Sequence, residues 1–134
     1  MANLKNIEGI GEVYAQKLQE AGLYTTRALL AIGATPQGRK EIAEQTGLSD
    51  VYILKWVNRA DLFRVKGIGE EYSDLLEAAG VDTVVELSHR VPENLRAKLA
   101  EVNQEKRLVR KLPSLSQVQS WVAQAKSLPR GVSY

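Results

Sequence analysis

Apolar residues recur at helical spacing along most of the chain, and short polar segments separate the runs. Tyr14, Leu18 and Ala21 share one face of a run that Gly11 opens and Gly22 closes. Alternating strand patterns are scarce, so the sequence predicts an all-α protein. The remaining predicted helices are 26–33 after Thr25, 37–46 after Pro36, one after Ser49, one from Gly69 to Gly80, one after Thr83, 93–103 after Pro92, and one from Ser114 to Pro129. Thr83 and Glu86 have the spacing of a capping box.

The opening helical pattern occurs twice, at an offset of 58 residues. The shared positions are Gly9, Ile10, Gly11, Glu12, Tyr14, Leu18, Ala21, Gly22, Thr25 and Leu29, which recur as Gly67, Ile68, Gly69, Glu70, Tyr72, Leu76, Ala79, Gly80, Thr83 and Leu87. An internal repeat indicates two copies of one structural unit. The first glycine turn is defined here as Gly9, Ile10 and Gly11, and the second as Gly67, Ile68 and Gly69.

The repeat continues at an offset of 65, where Ser49, Trp56, Val57 and Ala60 match Ser114, Trp121, Val122 and Ala125. The longer offset places an insertion near 103–113 in the second copy. We predict one compact domain of two units, 1–64 and 65–128, packed about a pseudo-twofold axis, with 129–134 as a tail. Both tryptophans are expected in the core, because each lies among apolar residues at helical spacing.

The composition of the chain argues against several classes of protein. The chain contains no cysteine and one histidine, which argues against a disulfide framework, thiol chemistry and a zinc site. No apolar run is long enough to span a membrane and no signal peptide is evident, so we expect a cytoplasmic protein without membrane contact. No catalytic constellation emerges, so we expect no enzymatic activity and no metal.

Charge is distributed unevenly, although the total is only +2. Residues 1–88 hold nine Lys and Arg against thirteen Asp and Glu, whereas residues 89–134 hold nine against three. Four of the C-terminal cations, Lys106, Arg107, Arg110 and Lys111, fall within six residues, called here the basic segment (106–111). Helical spacing would place Lys106 with Arg110 and Arg107 with Lys111, with Leu108 and Leu112 buried. Such a stripe could contact several phosphates, and the alternative is a solvated face or ion pairing with the acidic second turn.

The glycine turns carry the other candidate chemistry. Each turn opens a helix, and the first amides of a helix are unpaired and carry a partial positive charge that suits phosphate. The segments L-K-N-I-E-G-I-G-E-V-Y-A-Q-K-L-Q-E-A-G-L and F-R-V-K-G-I-G-E-E-Y-S-D-L-L-E-A-A-G-V resemble the helix-hairpin-helix motif. The whole chain resembles a bacterial family of tandem helix-hairpin-helix proteins of unknown function, through G-A-T-P-Q-G-R-K-E-I-A, W-V-N-R-A-D-L and L-V-R-K-L-P-S.

The resemblance implies binding of a nucleic-acid backbone through the hairpin amides, with a monovalent cation allowed at a hairpin and no other cofactor. Two residues depart from that pattern, since Glu12 and Glu70 stand where Lys or Arg is usual. The second turn has Lys66 as its one cation among many carboxylates, so we expect Gly67, Ile68 and Gly69 to be structural. The first turn, with Lys5 and Lys17 nearby, stays a candidate for binding.

The sequence therefore predicts a weak, sequence-independent nucleic-acid-binding module, with DNA favoured over RNA. Its contacts would come from the first glycine turn with Lys5 and Lys17, and from the basic segment. The alternative is a protein-interaction or scaffold module that has lost the phosphate site, which the near-neutral charge and the acidic second turn favour. The sequence leaves the oligomeric state and the partner open.

Overall fold

Eight α-helices form within residues 3–134 where capping residues and glycines allow them to begin and end, and they confirm the all-α prediction. The computed structural model describes residues 3–134. A short 3-10 turn, Leu4–Asn6, precedes the helices. The helices are α1 Glu12–Glu20, α2 Thr26–Gly33, α3 Pro36–Thr46, α4 Asp50–Leu62, α5 Glu70–Ala78, α6 Val84–Ser88, α7 Pro92–Lys106 and α8 Leu115–Ser127.

The predicted capping residues act as expected at most helix ends. The Thr25 hydroxyl accepts a hydrogen bond from the Ala28 amide at 3.1 Å, and Ser114 forms a full capping box with Gln117. The predicted Thr83–Glu86 box is only half formed. Thr83 accepts from the Glu86 amide at 3.2 Å, but the Glu86 carboxylate accepts from Arg90 at 3.1 Å, an ion pair that draws it away from the N-cap.

The chain divides into two units by its internal contacts, and the first unit is built from two separate segments of the chain. The first unit contains residues 1–61 together with 131–134, and the second contains 62–130. Residues 131–134, predicted to be a tail, thus group with the first unit. The helix-hairpin-helix assignment and the pseudo-twofold arrangement stay predictions.

Each unit buries the tryptophan of its closing helix, as predicted. In the first unit α3 packs against α1 and α2, and Trp56 is 2% exposed. In the second unit α8 packs against α6 and α7, and Trp121 is also 2% exposed. A tyrosine lies against each indole, Tyr14 at 5.3 Å and Tyr72 at 5.2 Å between ring centroids. These tilted aromatic pairs pack the glycine-opened helices, α1 and α5, against the closing helices.

Candidate nucleic-acid interface

The first glycine turn combines a left-handed glycine with the start of α1. Gly9 has a φ of 93°, in the left-handed region, and Ile10 is buried, its amide donating to the Ile7 carbonyl at 3.1 Å. Gly11 is the N-cap of α1 and supplies no side-chain cap. The first amides of α1 are therefore without a side-chain acceptor, and both glycines are exposed.

The cations predicted around this turn are not gathered at its amides. Lys5 Nζ lies 3.5 Å from Glu12 Oε1, so the lysine is paired with the carboxylate that stands at the start of α1. Lys17 is exposed but lies in the last turn of α1, at the opposite end from Gly11. The structure thus brings Lys5 to the turn, together with a competing carboxylate, and leaves Lys17 apart from it.

The second glycine turn has the same backbone and a clamp that sequence reasoning missed. Gly67 has a φ of 97°, Ile68 is buried and Gly69 caps α5. The Gln124 side chain accepts from the Lys66 amide at 2.9 Å and donates to the Lys66 carbonyl at 3.2 Å. The repeat aligns Gln124 with Arg59 of the first unit, so this position differs between the copies, but nothing in the sequence alone indicates the two-way bond.

Two acidic residues begin the helix that follows the second turn. Glu70 and Glu71 occupy the first turn of α5, where they interact favourably with the helix dipole and repel an approaching phosphate. Beyond the opposite end of the same helix, partial burial raises the pKa of the Asp82 carboxyl, a backbone hydrogen bond opposes that rise, and the charges of Glu86 and Glu77 add to it. The electrostatics of this region suit a structural turn better than an anion site.

The predicted helical stripe of the basic segment is wrong, because the segment leaves the helix at its second residue. α7 ends at Lys106, and Arg107 adopts a left-handed conformation with a φ of 50°. Residues 107–114 form a non-helical connection to α8. Leu108, predicted to be buried, is 37% exposed, while Leu112 is partly buried and Val109 takes the core position instead. The loop therefore does not pair its cations along a helix face.

Three side chains hold the loop to the second unit. Asn103 accepts from the Val109 amide at 3.0 Å and donates to the Val109 carbonyl at 3.1 Å. Arg96 donates to the Pro113 carbonyl at 3.1 Å, and the Tyr72 hydroxyl donates to the Lys111 carbonyl at 3.1 Å. The main chain on both sides of the cations is thus fixed by hydrogen bonds, which lowers the conformational entropy that a ligand must remove.

The four cations of the basic segment project from this fixed backbone into solvent. Lys106, Arg107, Arg110 and Lys111 are all exposed. Within residues 3–134 none of the four forms an ion pair or a side-chain hydrogen bond. The ion pairs with the acidic second turn that the sequence predicts as an alternative are therefore not formed among these residues. Chemically, the segment offers a local concentration of positive charge suited to phosphates.

The described part of the chain lacks the side-chain cluster of a metal site and a helix that could span a membrane. Residues 3–134 contain no group of three or more His, Cys, Asp or Glu side chains placed to hold a metal ion. Among these residues no helix combines the length and apolar character needed to cross a membrane.

Comparison with known proteins gives one match. Residues 8–128 match the model of a domain of unknown function, DUF4332. No curated protein and no solved structure matches the chain.

Proposed function

We propose that this chain, which belongs to the DUF4332 family of domains of unknown function, is a non-enzymatic helix-hairpin-helix module that binds nucleic-acid backbones weakly and without sequence specificity. One observation carries the proposal. Four exposed cations with no ion pair within residues 3–134 lie within six residues, Lys106 at the end of α7 and the others on a loop held by Asn103, Arg96 and Tyr72. Such an arrangement favours phosphates, whose contacts position a ligand but carry no base information.

The first glycine turn supplies a smaller contact of its own in this proposal. Its exposed glycines let a backbone approach the first amides of α1, which have no side-chain cap. The Lys5–Glu12 pair sits beside them, so a phosphate there would have to displace Glu12 from Lys5. Because that exchange replaces one carboxylate by another anion, we expect the turn to add less affinity than the basic segment does.

The test is binding of fluorescein-labelled 20-mer duplex DNA, single-stranded DNA and RNA to the full chain, followed by anisotropy across a salt series. We expect a Kd of about 1–100 µM at low salt, with log K falling by about 3 to 4 per tenfold rise in salt if three or four phosphates are contacted. Duplexes of unrelated sequence should bind equally, and duplex DNA should bind better than RNA. Absence of binding at about 50 mM salt, where phosphate contacts are strong, contradicts the proposal.

A second candidate function is protein interaction, and a surface of the first unit favours it. Val13 and Val51 are 68% and 73% exposed, and Tyr52, next to Val51, is 48% exposed and lies 6.2 Å from Tyr14 between ring centroids. The starts of α1 and α4 thus present apolar side chains to solvent. A chain that binds no nucleic acid at low salt would retain this alternative.

Tyr72 gives a finer test of the loop. Tyr72→Phe removes the hydroxyl that holds the Lys111 carbonyl and keeps the ring packed on Trp121. We expect affinity for duplex DNA to fall about two- to fivefold, the equivalent of one modest hydrogen bond, with a stability change below about 1 kcal/mol. Anisotropy at fixed salt and thermal unfolding measure the two effects.

Tyr14→Phe is the matched control, because Tyr14 occupies the equivalent repeat position and packs on Trp56. It should leave affinity unchanged. Equal losses in the two variants would show that Tyr72 acts through general stability and does not position the basic segment.

A further inference from the structure

Residues 131–134, called here the strap, are held on the first unit largely through their main chain. The Ser133 amide donates to the Ala34 carbonyl at 2.8 Å, and the Ser133 carbonyl accepts from Arg39 Nη2 at 2.7 Å. The Ser133 hydroxyl also donates to the Ala34 carbonyl, at 3.2 Å. The two main-chain bonds hold a segment that lies outside regular secondary structure, and they make no demand on the residue type at position 133.

Side chains on either side of Ser133 add selectivity. Val132 is 3% exposed, so it fills an apolar position in the first unit. The Tyr134 hydroxyl donates to Asn58 Oδ1 at 3.1 Å, and the Arg39 guanidinium lies 5.8 Å from the centre of the Tyr134 ring. The site thus accommodates three consecutive residues: a buried β-branched residue, a residue of modest size, and an aromatic residue.

Arg39 ties the site to the rest of the first unit. It is 8% exposed and donates to the Gly33 carbonyl at 2.8 Å through Nη1, a contact that does not involve the strap. Without the strap, Arg39 Nη2 and Asn58 Oδ1 would each lack the partner that they have here. Buried or half-buried polar groups of this kind favour a ligand that restores their hydrogen bonds.

Protein surfaces bind extended peptides through two kinds of contact. Main-chain hydrogen bonds supply affinity, and pockets for alternate side chains supply selectivity. We propose that Ala34, Arg39 and Asn58 form a peptide-binding site that the strap fills in cis, and that its partner is an extended Val-Ser-Tyr-like segment of another chain. The strap acts as a tethered competitor, because a short tether gives an effective concentration in the millimolar range. A partner segment therefore binds only when the strap is released.

The test uses the full chain with Val132→Asp, which places a charge in the apolar position and releases the strap. The probe is a fluorescein-labelled, C-terminally amidated peptide of residues 128–134, L-P-R-G-V-S-Y. We expect this variant to bind the peptide at least about tenfold more tightly than the wild-type chain does, since the tethered competitor is gone. The same peptide with Asp at the Val132 position should not bind. A folded variant that ignores the peptide at millimolar concentration overturns the proposal.

Hydrogen exchange of the wild-type chain decides the matter if Val132→Asp does not fold. A strap that releases locally exposes the Ser133 amide far more often than amides in the middle of α4, such as that of Val57. Ser133 protection equal to that of Val57 would make the strap an integral part of the folded unit and overturn the proposal. A concentration-dependent dimer abolished by Val132→Asp would overturn the assignment to a foreign peptide, in favour of strap exchange between two copies.

Discussion

Changing Lys106, Arg110 and Lys111 together to glutamate is expected to lower affinity for duplex DNA by at least about 100-fold at about 50 mM salt. All three side chains are exposed, and none forms an ion pair or a side-chain hydrogen bond within residues 3–134, so their charges are available to a ligand. Each lost phosphate contact removes about 0.9 from the slope of log K against log salt, so three lost contacts should flatten the slope by nearly 3. Anisotropy titration of the variant over the same salt series measures both quantities.

The matched control changes three exposed lysines elsewhere, Lys40, Lys98 and Lys126, to glutamate. It alters the net charge by the same amount and leaves the basic segment intact. Because salt screens charges beyond about one Debye length, we expect this control to lose less than about tenfold in affinity and to keep its salt slope. Equal losses in the two variants would mean that total charge drives binding, and an unchanged triple variant would exclude the basic segment as the contact surface.

Gly67→Ala is expected to destabilise the second unit by about 2–4 kcal/mol, for two separate reasons. Gly67 has a φ of 97°, a conformation that strains any residue with a Cβ. A Cβ at this position would also lie 2.9 Å from Nε1 of Trp121, a buried side chain that cannot move away freely. Thermal and denaturant unfolding, followed by circular dichroism and tryptophan fluorescence, measure the loss.

The repeat supplies two controls within the same motif. Gly9→Ala meets a similar φ of 93°, but its Cβ would lie at an ordinary 3.6 Å from Trp56 Nε1, so it should lose about 1–2 kcal/mol. Gly69→Ala has extended backbone and no atom within 4 Å of the added Cβ, so its loss should stay below about 1 kcal/mol. A Gly67 variant that is no less stable than the Gly69 variant would contradict the packing of Trp121 against the turn.

These variants also separate the folding role of the glycine turns from binding. Ile10 and Ile68 are buried in both turns, and both tryptophans lie beside the left-handed glycines. Alanine in place of Gly9 or Gly67 should therefore lower the free energy of unfolding in both copies of the repeat. An effect on nucleic-acid affinity is expected only from the first turn, since the Gln124 clamp and the carboxylates of Glu70 and Glu71 occupy the second.

The basic segment shows why the sequence pattern predicted the wrong conformation for this stretch. Leu108 and Leu112 have the spacing of a buried helical face, and nothing local in Lys106 to Lys111 stops a helix. The helix ends where Asn103, one turn earlier, bonds both main-chain groups of Val109, and Val109 takes the buried position while Leu108 stays 37% exposed. Asn103 lies in α7 itself, but the burial of Val109 in the core of the second unit and the Tyr72 bond to the Lys111 carbonyl depend on other helices, which a local pattern does not include.

The sequence by itself determined the all-α class, the repeated glycine turns, most helix ends and the burial of both tryptophans. These features follow from short-range causes: hydrogen bonds between a capping side chain and amides within four residues, the freedom of glycine at positive φ, and the 3.6-residue period of apolar positions. The tertiary structure alone decided the loop conformation of the basic segment, the Gln124 clamp and the seating of the strap on the first unit. Each of the last two depends on a hydrogen bond between residues 58 or more positions apart, such as Lys66 with Gln124 and Ala34 with Ser133, whose partners meet only after the helices have packed.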